Sequence, residues 1–384
     1  MDIKYHRSRP YIPDEDKPWI LERHREILDT RALIQGKYVA EFEEKVSQYV
    51  GTKHAIAVNS CGSGLEIALR ATGIVGKKFI VPAQTFVASV SCILRSGNIP
   101  IIADIDIVTQ CLSLKSIKEN FGPDVAGVVL VHMAGLITPV IFEIQKFCND
   151  KGLFLLTDDA HAFGASIRDP DTGIGYHAGN IGNAGVFSFY PSKIITTAEG
   201  GMITTNDDNL AHKLRILRTH GVVPNVSLVE GLDYGVQCEI PSSNYRMTEF
   251  NAVLGLSQIR HVNQWIDRRN EIAHVYNDNL ASIEWLTLPP RYEAIRQTWW
   301  QYIVRLSDKI DRIKFLKRLL DRGIQTGNAY WPACNQQPVF QPYVSGLGCP
   351  LADDILEKHF SLPMYVELKN EEVKDICNII KDSI

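Results

Sequence analysis

The sequence predicts an α/β protein: a mainly parallel sheet held between helices, followed by a smaller α+β region. Three observations predict it. Short apolar segments of strand length alternate with helical patterns from about residue 50 to about residue 190. Polar and glycine-rich motifs stand at the carboxyl ends of those segments, where such sheets bind their ligands. Near residue 250 the alternation stops and a long helical pattern begins.

Each element follows from its own pattern. Trp19 to Leu28 and Val39 to Val50 carry apolar residues at three- and four-residue spacing, so the first 50 residues read as helices. His54 to Asn59 is a short apolar strand, and Gly62 to Thr72 a helix. Lys78 to Pro82 is the next strand and Phe86 to Ser96 the next helix. Strands follow at Ile99 to Ala103, Val125 to His132 and Leu153 to Asp158, with a short apolar segment at Gly185 to Ser188. A long helix is expected from Thr248 to Ala273, then a strand at Trp299 to Leu306 and helices at Arg312 to Arg322 and Glu371 to Ile384. The expected division is a large domain over residues 1–250 and a small one over residues 251–384.

Composition narrows the function classes. Of 384 residues, 45% are hydrophobic and 22% charged, too apolar for a disordered chain. The net charge is -4 and the basic residues are scattered, so neither nucleic acid nor an anionic membrane is an expected partner. The first segment, MDIKYHRSRPYIPDEDK, lacks the apolar centre of a signal peptide, and no apolar run is long enough to span a membrane. A cytoplasmic location is the expectation. Eight cysteines form no CxxC pair and no zinc-type spacing, which predicts reduced thiols and no metal site.

Four segments carry the chemistry. The first is Ser188-Phe-Tyr-Pro-Ser-Lys193-Ile-Ile-Thr-Thr-Ala-Glu-Gly-Gly201. A cofactor aldehyde needs a primary amine that forms an imine and later shuttles a proton. A crowded, partly dry site lowers a lysine's pKa and makes it nucleophilic. Taken alone, a loop lysine is usually solvated, so the other segments decide. The second is Leu153-Phe-Leu-Leu-Thr-Asp158-Asp159-Ala-His161-Ala, an apolar strand ending in two carboxylates and a histidine. Such an acid serves as a helix cap, a metal ligand or the partner of a buried cation, for which a protonated pyridine nitrogen qualifies. Strand alternation turns Asp158 and Asp159 to opposite faces, so one of them meets the ring. The third is Val58-Asn-Ser60-Cys61-Gly62-Ser63-Gly64-Leu65, a small-residue turn opening a helix, which suits phosphate. The fourth is Val81-Pro-Ala-Gln-Thr-Phe86-Val, whose aromatic just past a strand end can stack on a planar ring.

In this order, the segments resemble the DegT/DnrJ/EryC1/StrS aminotransferase family, sugar aminotransferases of the fold-type-I pyridoxal phosphate class. NSCGSGLEIAL is similar to the family's NSCTSALHLAL, VPAQTFVAS to VPSFTFVAT, TDDAHAFGA to EDAAHALGA, and SFYPSKIITTAEGG to SFHPTKNITTGEGG. Leu217-Arg-Thr-His-Gly221, Asn244-Tyr-Arg-Met-Thr-Glu249 and Phe360-Ser-Leu-Pro-Met364 match further signatures, so the resemblance covers nearly the whole chain.

The resemblance implies a seven-stranded, mainly parallel sheet and pyridoxal 5'-phosphate as cofactor. It implies that Lys193 is the imine lysine and proton shuttle, and that Asp158 pairs with the pyridine nitrogen, since Asp159 aligns with a small residue. His161 lies near the phenolic oxygen and Phe86 stacks on the ring. Gly62, Ser63 and Ser188 hold the phosphate, and Asn244 reaches the phosphate of a neighbouring subunit, so a homodimer with shared sites is implied. The implied reaction moves an amino group, from glutamate, to a keto-sugar, most often nucleotide-linked, in amino-sugar biosynthesis.

Three positions depart from the family's pattern. Gly62 stands where the family has Thr, Ala198 replaces the glycine before Glu199, and Asn328 to Pro338 lacks the family's histidines. Val131-His-Met-Ala-Gly-Leu136 resembles the family branch that makes aminohydroxybenzoate and related non-nucleotide products, which keeps a non-nucleotide ketone, of aminocyclitol or aminohydroxybenzoate type, as the alternative. Family dehydratases carry histidine at the lysine position, so Lys193 argues against dehydration. The set Lys193, Asp158 and Ser188 argues against a binding protein without turnover.

Overall fold

The computed structural model describes residues 3–223 and 235–384. Its strands are β1 (His54–Val58), β2 (Lys78–Pro82), β3 (Ile99–Ala103), β4 (Val125–Val131), β5 (Phe154–Asp158), β6 (Ser166–Arg168), β7 (Gly175–His177), β8 (Ala184–Ser188), β9 (Gly201–Thr205), β10 (Leu286–Thr287), β11 (Ile295–Arg296), β12 (Tyr302–Leu306) and β13 (His359–Leu362). Its helices are α1 (Lys17–Thr30), α2 (Lys37–Val50), α3 (Cys61–Ala71), α4 (Val87–Arg95), α5 (Leu114–Asn120), α6 (Ile141–Lys151), α7 (Asp208–Arg218), α8 (Glu249–Ile259), α9 (Val262–Leu280), α10 (Arg312–Asp321), α11 (Pro350–Lys358) and α12 (Asn370–Lys381).

A seven-stranded sheet in the order β1-β9-β8-β5-β4-β2-β3 forms the centre. The pairs β3–β2, β2–β4, β4–β5 and β5–β8 are parallel, while β9 runs antiparallel to both β8 and β1. The expected sheet is therefore present, and β9 is a strand that periodicity did not identify. It is Gly-Met-Ile-Thr-Thr, with no polar alternation because both of its faces are buried. One apolar core packs α2, α6 and α8 on one face, and a second packs α3, α4 and α7 on the other. Helix α3 lies close to the sheet because Gly64 has no side chain: a Cβ there would sit 2.7 Å from Val186 Cγ1.

A second sheet, β10-β12-β13, carries its own core with α9, α10 and α12, and Tyr5 from the amino-terminal segment joins that core. The helix expected from Thr248 to Ala273 is two helices. The chain breaks at Arg260–His261, where His261 Nε2 lies 2.9 Å from the buried Asp16 carboxylate. The break barely disturbs the apolar spacing, so the sequence pattern could not reveal it. The strand expected from Trp299 starts later, at Tyr302. All eight cysteines are free thiols. No helix among the described residues is long and apolar enough to cross a membrane.

Candidate active site

The carboxyl ends of β1, β2, β4, β5 and β8 meet one cavity of about 600 Å³. Asp158 ends β5, Ser188 ends β8, and Cys61 and Gly62 open α3 after β1. Parallel strands point their carboxyl ends the same way, so motifs far apart in the chain converge there.

The α3 turn is built to receive an anion. Ser60 caps the helix: its Oγ accepts from the Ser63 N–H at 3.1 Å and pairs with the Ser63 hydroxyl at 2.9 Å. That bond turns Ser63 toward Ser60, and Ser63 does not line the cavity, whereas Gly62 does. The Gly62 N–H has no acceptor among the described residues and stands at the positive end of an 11-residue helix. Across the turn, Gly201 lets β9 pass closely. A Cβ there would lie 2.7 Å from both Cys61 N and Ser60 C. Ser188, itself buried, has an Oγ whose one bond among the described residues is a long 3.5 Å contact from the Tyr190 N–H.

The two aspartates face opposite ways, as strand alternation requires. Asp158 lines the cavity. Its Oδ2 accepts from the Ser89 hydroxyl at 2.6 Å and its Oδ1 from the Ala160 N–H at 3.2 Å. Burial raises its pKa, and the bonds from Ser89 and Ala160 oppose that rise. No cationic side chain among the described residues pairs with it, so a buried carboxylate faces the cavity with capacity for a cation. Asp159 points behind the strand. It accepts from the Thr157 hydroxyl at 2.6 Å, and its other oxygen lies 3.5 Å from His132 Nε2, both residues being fully buried. Burial pushes Asp159 up to about 8 and His132 down to about 3. Both shifts point to a neutral pair, with the proton on the carboxyl.

Lys193 sits in the turn after β8, its N–H donating to the Tyr190 carbonyl at 2.9 Å. The residue keeps some exposure through the cavity, but its amine is deep. Burial pushes its pKa down to about 8, against the opposing pull of Cys61 and Asp158. Ala198 closes the turn with φ 67°, a left-handed conformation that explains why the family favours glycine there. His161 is buried, and desolvation holds its imidazole neutral, well below the usual range. Its Nε2 lies 2.7 Å from the Tyr330 hydroxyl, and its ring stacks on Trp300 with centroids 3.8 Å apart. Phe86 lines the cavity and is 56% exposed, leaving its face free for a planar ligand.

Asn244 is not brought to this cavity. It is exposed, its side chain accepts from the Arg246 N–H at 3.2 Å, and its carbonyl accepts from Asn59 Nδ2 at 3.4 Å. Conversely, the structure adds residues that sequence reasoning missed: Ser89, which holds Asp158, and Arg7, Trp300, Gln301 and Ser361 on the far wall, where Asn328 and Tyr330 join them from the segment that departs from the family's pattern. Just before β12, Trp299 takes a left-handed φ of 50° and is buried in the C-terminal core, while Trp300 turns toward the cavity. The VHMAGL segment contributes Val131 to the wall, while Met133, Ala134 and Leu136 are buried.

The residues fit pyridoxal 5'-phosphate. A buried carboxylate without a protein cation suits a protonated ring nitrogen, an unpaired helix-terminal amide and Ser188 suit a phosphate, and Lys193 supplies a low-pKa amine. Among the described residues no group of three or more His, Cys, Asp or Glu could hold a metal ion.

Residues 14–381 match the sequence profile of the DegT/DnrJ/EryC1/StrS aminotransferase family. The chain is 33% identical to GDP-perosamine synthase of Caulobacter vibrioides, over 87% of this chain and 84% of that one. It is 30% identical to the spore coat polysaccharide biosynthesis protein SpsC of Bacillus subtilis, over 98% and 96%. Its fold superposes on Helicobacter pylori PseC, described as an aminotransferase of pseudoaminic acid biosynthesis, with a TM-score of 0.88. There the identity is 27%, and the match covers 99% of this chain and 98% of that one.

Proposed function

The chain belongs to the DegT/DnrJ/EryC1/StrS aminotransferase family, whose members are pyridoxal-phosphate-dependent, and on that premise we propose that it aminates a keto-sugar, nucleotide-linked, with glutamate as donor. The observation that carries the reading is that Lys193 and Asp158 line one cavity together with the α3 turn and Ser188. Bound pyridoxal 5'-phosphate would supply the electron sink for amine transfer.

The chain's own residues do the rest. Lys193 would hold the cofactor, and its free amine would carry the substrate proton. A pKa of about 8 leaves about one amine in ten neutral at pH 7, so Lys193 is poised to take a proton as well as give one. Asp158, held in place by Ser89 and the Ala160 N–H, would favour a protonated ring nitrogen. The Gly62 amide and Ser188 would hold the phosphate, with Ser63 shaping the turn through Ser60. Phe86 would stack on the ring, and His161 would offer a neutral imidazole.

Among the described residues Arg7 is the one arginine on the cavity wall, and only its backbone is engaged, with Gln325 and Met364. Its free guanidinium suits the anionic groups of the substrates, the donor carboxylate or the acceptor diphosphate. A second copy of the chain would bring Asn244 to the phosphate, and the exposure of Asn244 outside its own cavity supports that homodimer. In this reading residues 1–250 chiefly hold the cofactor and residues 251–384 close over it, in the cytoplasm. A nucleotide-linked acceptor is favoured over a non-nucleotide ketone because most of the VHMAGL segment is buried rather than facing the substrate. The relative named GDP-perosamine synthase supports the same choice.

The test has two arms. Purified protein should absorb in the visible through its bound cofactor, and Lys193→Ala should lose both that band and turnover. Enzyme loaded with pyridoxamine 5'-phosphate should return its absorbance to the original form on mixing with the correct nucleotide-linked keto-sugar. A yellow Lys193→Ala protein would sink the lysine assignment, and a response to non-nucleotide ketones alone would overturn the acceptor.

A further inference from the structure

Trp300 meets three parts of the site at once. Its ring lies parallel to that of His161, at 7° and 3.8 Å between centroids. The Lys193 amine sits over the same indole, 4.0 Å from the ring centroid. The indole N–H donates to the carbonyl of Ser192 at 2.8 Å, so Trp300 also grips the residue just before Lys193.

Its own backbone is fixed from both sides. The Trp300 N–H donates to the Ala134 carbonyl at 3.0 Å, and the Thr298 hydroxyl donates to the His161 carbonyl at 2.7 Å. Trp299 points the other way into the C-terminal core, where its indole N–H donates to Asn270 Oδ1 at 3.0 Å. A residue tied down like this, and itself 8% exposed, is a rigid surface rather than a mobile wall.

We propose that Trp300 is a positioning residue for the catalytic amine: a platform that fixes the free amine of Lys193, its turn and the plane of His161. The inference rests on the reading of Lys193 as the proton carrier. A lysine side chain has four rotatable bonds and would otherwise wander through a cavity of about 600 Å³. The negative face of an indole attracts a protonated amine, most strongly where water is thin. That attraction favours the protonated amine, as do Cys61 and Asp158, against the burial that holds the Lys193 pKa low. It thus sets both where the amine rests and how readily it keeps its proton. His161 gains from the same ring, because the stack and the Tyr330 hydroxyl are what orient its imidazole.

The experiment compares Trp300→Phe and Trp300→Leu with the parent holoenzyme and with Lys193→Ala. Two quantities are read: kcat and KM for the amino donor, and the titration of the Lys193 amine. The titration uses competitive acetylation and mass spectrometry on enzyme loaded with pyridoxamine 5'-phosphate. Trp300→Leu should lower kcat about ten- to hundred-fold with KM little changed. Its Lys193 should titrate about one pH unit lower, since the cation–π contact is worth about a factor of ten. Trp300→Phe should restore the titration, because it keeps a ring face, and retain a smaller kcat loss from the missing bond to Ser192.

A Leu variant with parental kcat and parental titration overturns the proposal. So does a rise in KM alone, which would make Trp300 a substrate contact. Should the Leu variant fail to fold, a Phe variant with unchanged kcat overturns it equally. Activity surviving in Lys193→Ala would instead refute the underlying lysine reading, and that result is distinct from any seen with the Trp300 variants.

Discussion

Replacing Asp159 with asparagine should stabilise the protein at alkaline pH and spare turnover, whereas the same change at Asp158 should abolish turnover and spare the fold. Asp159 is fully buried, with one oxygen on the Thr157 hydroxyl and the other 3.5 Å from His132 Nε2. Burial raises its pKa from the ordinary 3.8 to about 8. The sign follows from proton counting. In the unfolded chain the carboxyl loses its proton near pH 4, while the folded chain holds it until about pH 8. Folding is therefore penalised increasingly as pH rises between those values, and the penalty is full above pH 8. At about 1.4 kcal/mol per pH unit the ceiling is about 6 kcal/mol, and relaxation around the site should leave about 2–4 kcal/mol. Asparagine keeps the acceptor for Thr157, adds a donor toward His132 and removes the titration. For a chain of this length the gain is about 2–5 °C in Tm at pH 8. It should shrink as pH falls to 5. Thermal melts of parent and variant at both pH values measure it. Equal offsets at pH 5 and pH 8, or a loss of stability at pH 8, would show that Asp159 is ionised and paired with a protonated His132. Asp158→Asn should fold normally, since its oxygen still serves the Ala160 N–H, but lower kcat about 10²–10³-fold. If the two variants exchanged phenotypes, the assignment of the ring partner would be wrong.

Two further outcomes follow from the cavity walls. Gly201→Ala would place a methyl 2.7 Å from Cys61 N and Ser60 C and 2.9 Å from Phe187 O, all backbone atoms that cannot swing aside. It should cost about 1–3 kcal/mol and, by displacing the phosphate turn, weaken cofactor affinity at least about ten-fold in an absorbance titration. Parental affinity would show that the α3 turn does not hold the phosphate. Arg7→Gln should raise KM about ten-fold or more for whichever substrate presents its anion there, the amino donor or the keto-sugar, with kcat nearly unchanged. Unchanged KM for both would remove Arg7 from substrate recognition.

Much of this protein was readable in the sequence, for a local reason. Strand ends, helix starts and small-residue turns are written in runs of about ten residues, and those runs contain Lys193, Asp158, His161, Ser188, Gly62 and Phe86. The fold class followed from alternating patterns, and the family from motif order. Alternation along β5 even required Asp158 and Asp159 to part, as they do.

What only the tertiary structure decided lies where distant segments meet. Ser63 belongs to the turn by sequence, yet its hydroxyl is spent on Ser60. Strand β9 was hidden because burial on both faces erases alternation, and the break between α8 and α9 because it leaves the apolar period intact. Arg7 and Trp300 come from segments with no motif of their own, and Tyr330 from one that departs from the family's pattern. They reach the cavity because Arg7 is tied to Gln325, Trp300 to Ala134 and Tyr330 to His161. Local sequence determined the chemistry Lys193 can do. Long-range packing determined where its amine rests, because that depends on Trp300, more than 100 residues away along the chain.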